Sequence, residues 1–155
     1  MEKTLVLFKP DCLLRGFVGR ILQRFEERGL VIIGLKMLQL SDEILQKHYQ
    51  HLADKPFFPG IVKAMQKTPV IALALAGVAA VRVAREMAGT TNARDALGGT
   101  IRGDLAVSIQ NNLVHISDTR ESAAAELARF FQPTELFSPV SEQLQTCYSP
   151  DELAP

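Results

Sequence analysis

The sequence has no tryptophan, only two cysteines and no excess of either charge. Cys12 and Cys147 lie far apart and form no CxxC or Cys/His ligand spacing, so no zinc site is visible and a reduced protein is the simpler interpretation. The 17 basic and 17 acidic side chains cancel, which excludes a general electrostatic attraction to nucleic acid or to a membrane surface. The longest apolar tract, residues 70–81, is too short to cross a bilayer. These absences predict a cytoplasmic protein without a membrane partner or a specific nucleic-acid partner.

What is present is the composition of an ordinary globular domain. A chain of 155 residues with 47% hydrophobic and 22% charged side chains is long enough to bury one core without disulfides or metals. The first apolar run is too short for a secretory signal, and a lysine and a proline end it. We expect residues 1–155 to form a single domain whose last part, residues 133–155, is an irregular tail rich in Pro, Ser and Gln.

Hydrophobic periodicity predicts an alternation of strands and helices. Strands are predicted at residues 4–8, 30–40, 70–76 and 113–116. Helices are predicted at residues 16–28, 41–52, 61–66 and 79–88, and after Thr119. Pro10 is expected to close the first strand, and Gly34 is a candidate bulge in the second.

The order of these elements predicts a fold class. Without the inserted helices and the last helix, the order is the βαββαβ pattern of a ferredoxin-like, α+β domain. We expect a four-stranded antiparallel sheet with helices on one face. An inserted helical hairpin and a long basic loop are expected as additions.

A histidine interrupts the last predicted strand. His115 lies in a short apolar run and is followed by three good N-cap residues, of which Asp118 has the capping-box spacing to Glu121. Glu126 follows about two turns into the predicted helix. A lone histidine among apolar residues is more often a core residue than a functional one, so this segment alone leaves both interpretations open.

The segment between the helix predicted at residues 79–88 and the fourth strand, residues 89–112, is too long for an ordinary connection. Residues 82–102 contain four arginines against two acids, so this neutral protein is locally basic. Arginine forks, threonine hydroxyls and flexible glycines are what a polyphosphate would require. The alternative is a solvated loop whose charges pair internally.

Two adjacent phenylalanines, Phe57 and Phe58, lie in a turn bracketed by prolines. Such a pair either plugs a loop or leaves a ring accessible to stack on a planar ligand.

Together these segments resemble the nucleoside diphosphate kinase family along nearly the whole chain. The matching motifs are Thr4-Leu5 with Lys9-Pro10-Asp11, Arg15-Gly16, His48-Tyr49, Lys55-Pro56-Phe57-Phe58, Gly89-Thr90-Thr91-Asn92, Thr100-Ile101-Arg102-Gly103-Asp104, and Asn112 to His115 with Ser117-Asp118. Seven motifs in the right order make a chance match very improbable. The resemblance therefore favours a functional His115 over a core histidine.

The resemblance implies a ping-pong reaction in which a nucleoside triphosphate phosphorylates His115 and the phosphohistidine passes the group to a nucleoside diphosphate. Histidine is mostly neutral near pH 7, because its unperturbed pKa is about 6.5. The neutral imidazole is a good nucleophile. By similarity the phosphoryl group goes to Nδ1, with Glu126 and Ser117 orienting the ring and Tyr49 beside it. Lys9 belongs to the same catalytic set.

Further residues match the binding positions of the family. Arg85, Arg102 and Thr91 match those that hold the phosphates. Lys9 and Asn112 match those that hold the ribose hydroxyls and nearby phosphate oxygens. Phe57 matches the ring that stacks on the base, and stacking reads little hydrogen-bond pattern, so broad base tolerance follows.

The resemblance also implies a cofactor and an assembly. Mg²⁺ is expected to arrive on the nucleotide phosphates, without metal ligands from protein side chains. A homo-oligomer is expected, either a tetramer or a hexamer, acting on ATP, GTP and other nucleotides.

The chain departs from the family at three places. Ile116 stands where the family usually has glycine, Ala93 stands where a proline is often seen, and the usual tryptophan-containing ending is missing. Isoleucine is compatible with a strand, so we expect retained activity. The alternative is a non-catalytic nucleotide-binding or regulatory relative of the same fold. A ferredoxin-like interaction module without a nucleotide site is disfavoured by the retained motifs.

Overall fold

The computed structural model describes residues 1–153, and in this part of the chain four strands form one sheet. The strands are β1 (Glu2–Phe8), β2 (Val31–Leu38), β3 (Val70–Gly77) and β4 (Val114–Ile116). The helices are α1 (Pro10–Leu14), α2 (Val18–Glu27), α3 (Asp42–His48), α4 (Phe58–Met65), α5 (Ala80–Ala88), α6 (Ile101–Leu105), α7 (Arg120–Phe130), α8 (Ser141–Cys147) and α9 (Pro150–Leu153). Single 3-10 turns occur at Gln50–Leu52, Ala93–Asp95 and Pro133–Glu135.

The strand order across the sheet is β2-β3-β1-β4, and every neighbouring pair is antiparallel. This order confirms the α+β, ferredoxin-like prediction, with α3 and α4 as the inserted helical pair. The register of β2 against β3 shifts between Ile32 and Gly34, as expected for a bulge. At Gly34 a Cβ atom would lie 2.9 Å from the carbonyl oxygen of Glu135, so the close approach of the tail requires glycine.

The two faces of the central strand β1 are both buried. Val6 and Phe8 point into one core, with α2 and α5, whereas Leu5 and Leu7 point into a second core, with α3, α4 and α7. The expectation that the helices of the βαββαβ pattern cover one face of the sheet is therefore confirmed. The βαββαβ pattern itself supplies two helices to one face, and the inserted helices and α7 cover the other.

The polypeptide after β1 also differs from expectation. Pro10 does not end a strand but begins the short helix α1, where its missing N–H costs no hydrogen bond.

The N-cap of α7 is Thr119, which forms a capping box with Ser122, and not Asp118 with Glu121. The carboxylate of Asp118, one residue before this N-cap, pairs instead with Arg85.

The long segment between α5 and β4 is folded against the domain and contains α6. The α6 residue Gly103 has no room for a side chain, because a Cβ atom would lie 2.0 Å from the carbonyl oxygen of Leu97. Arg24 of α2 pairs with Asp104 at 3.0 Å, and Arg15 donates to the carbonyl oxygen of Leu105 at 2.7 Å. These contacts fix the segment that forms one wall of the site.

We expected an irregular tail from residue 133 onward. The structure instead has the helices α8 and α9 in this segment. Phe137 N–H donates to the carbonyl oxygen of Ile33 at 2.8 Å, so the segment pairs with the free edge of β2. Tyr148 donates its hydroxyl to the carbonyl oxygen of Gly29 at 3.0 Å, and Leu144 is buried. The final two residues of the predicted tail, 154 and 155, lie outside the described residues.

No helix within residues 1–153 combines the length and the apolar character that crossing a membrane would require.

Ile116 ends β4, pairs with Val6 and is 3% exposed within the core that contains α2 and α5. We expect Ile116→Ala to lower the free energy of unfolding by about 2–5 kcal/mol, because the lost methyl groups leave a cavity. Denaturant unfolding measures this change. Leu14→Ala is the matched control, because Leu14 is 57% exposed and should change stability by less than about 0.5 kcal/mol. Equal effects of the two substitutions would contradict the packing of Ile116.

Candidate active site

A cavity of about 770 Å³ opens between β4, α7, the inserted helices and the long segment after α5. Nine of the ten residues singled out in the sequence line it, and the tenth, Ser117, lies directly behind Glu126. The nine are Lys9, Tyr49, Phe57, Arg85, Thr91, Arg102, Asn112, His115 and Glu126. The fold therefore brings residues from six separate segments of the chain to one place.

His115 is the central residue of β4 and pairs with Leu7 of β1. The ring is half-buried, and Nε2 lies 3.0 Å and 3.1 Å from the two carboxylate oxygens of Glu126. Nδ1 has no hydrogen-bond partner among the residues that the structure describes. A carboxylate can only accept when it is ionised, so Nε2 carries the hydrogen and the lone pair lies on Nδ1.

Glu126 is buried on α7 and is itself held in place. Ser117 donates its hydroxyl to Glu126 Oε2 at 2.6 Å and accepts from the backbone N–H of Leu5 at 3.3 Å. Burial alone would raise the pKa of Glu126, but the hydrogen bonds from His115 and Ser117 outweigh it and lower the pKa. The carboxylate is therefore ionised at neutral pH.

Sequence reasoning assigned no role to two further residues, His48 and Arg129. The His48 ring packs edge-on against His115 with the ring centroids 4.4 Å apart, and Arg129 donates to His48 Nδ1 at 3.2 Å. Burial, followed by the neighbouring His115, lowers the pKa of His48 to about 3 against the opposing effect of Glu126, so this ring is neutral. Arg129 follows Glu126 by three residues on α7, so the two side chains lie on the same helix face. This spacing is the sequence feature that could have placed Arg129 at the site.

Arg102 is buried and holds three backbone segments together. Its guanidinium donates to the carbonyl oxygens of Gly89 at 2.7 Å, Val114 at 2.7 Å and Asn112 at 3.3 Å. Burial lowers the pKa of Arg102 to about 10, which still leaves the group charged at neutral pH. Because an arginine has five N–H groups, two remain without a partner among the described residues.

Arg85 lies on α5 at the same wall and forms an ion pair with Asp118. Both side chains are partly exposed, so this ion pair is readily exchanged for another anion. Arg85 and Arg102 together make this wall of the cavity cationic.

Lys9 and Asn112 form a hydrogen-bonded pair beside the arginines. Lys9 Nζ donates to Asn112 Oδ1 at 2.8 Å, while the Asn112 amide donates to the carbonyl oxygens of Thr91 at 2.9 Å and Ile109 at 3.0 Å. Burial and the nearby Arg102 lower the pKa of Lys9 to about 8, although Asp11 opposes the shift. This lysine therefore loses its charge at only mildly alkaline pH.

The remaining predicted residues lie at the rim and beside the histidine. The Phe57 ring is 56% exposed at the start of α4, which leaves its face open to a ligand. The Tyr49 ring centroid lies 6.3 Å from that of His115, and burial raises the pKa of Tyr49, so the phenol is protonated. Thr91 also lines the cavity, and its carbonyl oxygen accepts from the Asn112 amide.

The backbone that leads into β4 is strained at Leu113. This buried residue has φ 73°, and Val114 N–H donates to the carbonyl oxygen of Asn112 at 2.9 Å, as in a γ-turn. The carboxylate of Asp11 accepts from Leu113 N–H at 2.9 Å, and Lys9 N–H donates to the carbonyl oxygen of Leu113. These contacts hold a costly conformation two residues before His115.

Among residues 1–153, one group of three metal-ligating side chains lies together: His48, His115 and Glu126. Two of its ligand atoms are nitrogens, whereas Mg²⁺ prefers oxygen ligands. Asp118 is the other acidic side chain that lines the cavity, and it pairs with Arg85. Within residues 1–153, the side chains that line the cavity therefore form no cluster of carboxylates of the kind that Mg²⁺ prefers.

A ferredoxin-like sheet that carries a carboxylate-bound histidine in a cavity with Arg85 and Arg102 is suited to phosphoryl transfer. The sequence model of the family described as Nucleoside diphosphate kinase matches residues 2–136. The chain belongs to the nucleoside diphosphate kinase family.

Individual relatives agree with this assignment. The nucleoside diphosphate kinase of Parabacteroides distasonis is 51% identical over 152 residues, which cover 98% of this chain and 99% of that protein. The enzyme of the same name from Thermus thermophilus is 48% identical over 136 residues, covering 88% and 99%.

A solved structure agrees as well. It is that of a halophilic nucleoside diphosphate kinase from Halobacterium salinarum in complex with CDP, which superimposes with a TM-score of 0.92 at 37% identity and covers 96% of this chain and 99% of that one. The chain is thus an enzyme that transfers a phosphoryl group between nucleoside triphosphates and nucleoside diphosphates.

The strained turn at Leu113 can be tested through Asp11. We expect Asp11→Ala to lower the free energy of unfolding by about 1–3 kcal/mol, because the Leu113 N–H loses its acceptor. Denaturant unfolding measures the change. Asp54→Ala is the control, since Asp54 is exposed, and should stay within about 0.5 kcal/mol of the parent chain. An Asp11 variant as stable as this control would show that the carboxylate does not hold the turn.

Proposed function

We propose that His115 carries the phosphoryl group in a ping-pong reaction and that Nδ1 is the nucleophilic atom. The observation that supports this most directly is the double contact of Nε2 with Glu126, at 3.0 Å and 3.1 Å. This contact keeps the hydrogen on Nε2, so the lone pair on Nδ1 is available to the cavity.

In the first half-reaction, the Nδ1 lone pair attacks the γ-phosphorus of a nucleoside triphosphate. A phosphorus–nitrogen bond forms, the bond between the γ-phosphorus and the β,γ-bridging oxygen breaks, and the nucleoside diphosphate leaves with that electron pair. The ring becomes cationic as it is phosphorylated, and the ionised Glu126 beside Nε2 stabilises this charge.

In the second half-reaction, a β-phosphate oxygen of another nucleoside diphosphate attacks the phosphorus of phosphohistidine. The phosphorus–nitrogen bond breaks and its electron pair returns to Nδ1, so the ring is again neutral with its hydrogen on Nε2. Donor and acceptor use the same cavity in turn, which a single site of about 770 Å³ permits.

The cationic wall is proposed to bind the phosphates. Arg85 would exchange Asp118 for a phosphate oxygen, while Arg102 would use its two remaining N–H groups and Thr91 its hydroxyl. Lys9 and Asn112 would hold the ribose hydroxyls and nearby phosphate oxygens, and Tyr49 would pack beside His115.

The base is proposed to stack on Phe57 at the rim of the cavity. Because a π-face accepts any base, ATP, GTP and other nucleotides are all expected as substrates. Mg²⁺ is the proposed divalent cation, and when bound to the nucleotide it supplies neutralising charge on the phosphate oxygens. No carboxylate of the cavity is assigned to it.

We further propose one domain that assembles as a homo-oligomer, either a tetramer or a hexamer. Large apolar side chains on the surface support an assembly, since Leu97 and Val107 are each 78% exposed and Met37 on the edge strand is 61% exposed. A cytoplasmic location is supported by the free thiols of Cys12 and Cys147.

The proposed carrier is tested by brief incubation with Mg²⁺ and γ-labelled ATP. We expect an acid-labile label on His115 that transfers to added GDP, and no label on a folded His115→Ala variant. Peptide mapping assigns the label among the three histidines of the chain.

His51→Ala is the matched control, because His51 is the exposed histidine at the same cavity. This variant should take up label as the parent chain does. Substantial turnover by His115→Ala would overturn the assignment, and nucleotide binding without label would indicate a non-catalytic relative.

The role of Lys9 predicts a pH dependence. Since the pKa of Lys9 is about 8, its charge is present below that pH and is lost above it. We expect the KM for nucleotide to rise several-fold between about pH 7 and pH 9, with a limit of about tenfold per pH unit.

Steady-state kinetics on Lys9→Arg supplies the comparison, because arginine stays charged across this range. Its KM should be nearly independent of pH. If the KM of the parent enzyme does not rise, or rises equally in the variant, Lys9 is not the group responsible.

A further inference from the structure

The carboxylate that orients His115 lies within reach of two imidazole rings. Glu126 Oε1 is 3.0 Å from His115 Nε2 and 3.7 Å from His48 Nδ1, and the two rings are 4.4 Å apart at 77°. If His48 carried a hydrogen on Nδ1, it would compete for the same oxygen. The arrangement at Glu126 therefore requires a group that keeps the ring hydrogen of His48 off Nδ1.

We propose that Arg129 is a positioning residue, which donates to His48 Nδ1 and thereby reserves the Glu126 carboxylate for His115. This inference rests on the proposed role of His115 as phosphoryl carrier. It gives a task to two side chains of the cavity, Arg129 and His48, that the proposed reaction does not otherwise use.

The donor chemistry of arginine fixes the His48 tautomer. A guanidinium has N–H groups and no acceptor, so the contact at 3.2 Å requires a lone pair on His48 Nδ1. His48 Nε2 is buried and has no partner among residues 1–153, so the contact with Arg129 is the hydrogen bond that determines where the ring hydrogen lies. The hydrogen is thereby placed on Nε2, away from Glu126.

The charges around His48 explain why this control matters. The ring faces Glu126 and Arg129 from α7 and His115 from β4, and His51 and Tyr49 lie nearby. Without the Arg129 cation, the nearest full charge is the Glu126 carboxylate, which attracts a proton to Nδ1. Glu126 would then be shared, and the His115 hydrogen would be free to move to Nδ1, where the lone pair is needed.

The test compares Arg129→Leu with Arg129→Lys and Arg129→Gln. Single-turnover phosphorylation by Mg²⁺ and ATP should slow about tenfold in the leucine variant at neutral pH, while the ATP concentration for half-saturation changes less than about twofold. The acidic limb of its pH–rate profile should move to higher pH, because His48 now protonates more readily. Lysine and glutamine, which keep a donor, should recover much of the rate at neutral pH.

Arg82→Leu is the matched control, since Arg82 pairs with Glu86 on the exposed face of α5. It should leave the rate and its pH profile unchanged. The second readout is the ¹⁵N spectrum of the histidine rings, in which His48 should carry its hydrogen on Nε2 in the parent chain and move toward Nδ1 in Arg129→Leu.

The two readouts separate the possible failures. If the His48 tautomer and the acidic limb are the same in folded Arg129→Leu as in the parent chain, the proposal is wrong. A change confined to ATP affinity would also overturn it, because Arg129 would then be a nucleotide contact. If Arg129→Leu does not fold, Arg129→Met carries both measurements, because methionine also lacks an N–H donor and keeps the unbranched length of the side chain. The tautomer measurement requires no phosphoryl transfer, so it stands even if His115 proves not to be the carrier.

Discussion

The hydrogen bond between His115 Nε2 and the Glu126 carboxylate is the contact on which the site depends. One partner lies on β4 and the other on α7, so the bond forms only when both pack correctly against β1. Ser117 joins the carboxylate to the backbone of β1 through Leu5. The sheet register, one helix position and one buried hydroxyl thus act together to decide which nitrogen of one ring keeps its lone pair.

Much of the fold follows from local patterns in the sequence. β3 is buried along its whole length and reads as a continuous apolar run, and α2 shows a clear apolar stripe through Ile21 and Phe25. The residues of the site were predicted mainly from the motifs that the chain shares with the family. The residues around His115 taken alone favour a core histidine, because an imidazole among apolar side chains is more often buried structure than a functional group.

Other features depend on contacts that no short window contains. The helices α1, α8 and α9 have only four to seven residues and show no clear apolar period, so the sequence did not predict them. Asp118 does not cap α7 but pairs with Arg85, which is distant in sequence, and Thr119 is the N-cap. Arg129 meets His48 only where α7 crosses the inserted helix α3, a meeting that is a property of the tertiary structure.

Arg102 makes all of its hydrogen bonds with protein to main-chain oxygens, at Gly89, Asn112 and Val114. Every amino acid supplies such an oxygen, so this clamp places no demand on the side chains of the three positions it joins. The demands on two of these positions come from other contacts: Gly89 has φ 80° and no room for a Cβ atom beside Thr100, and the Asn112 side chain bonds Lys9 and the carbonyl oxygen of Thr91. No substitution at these three positions can replace the guanidinium, so the geometry of this wall depends on Arg102.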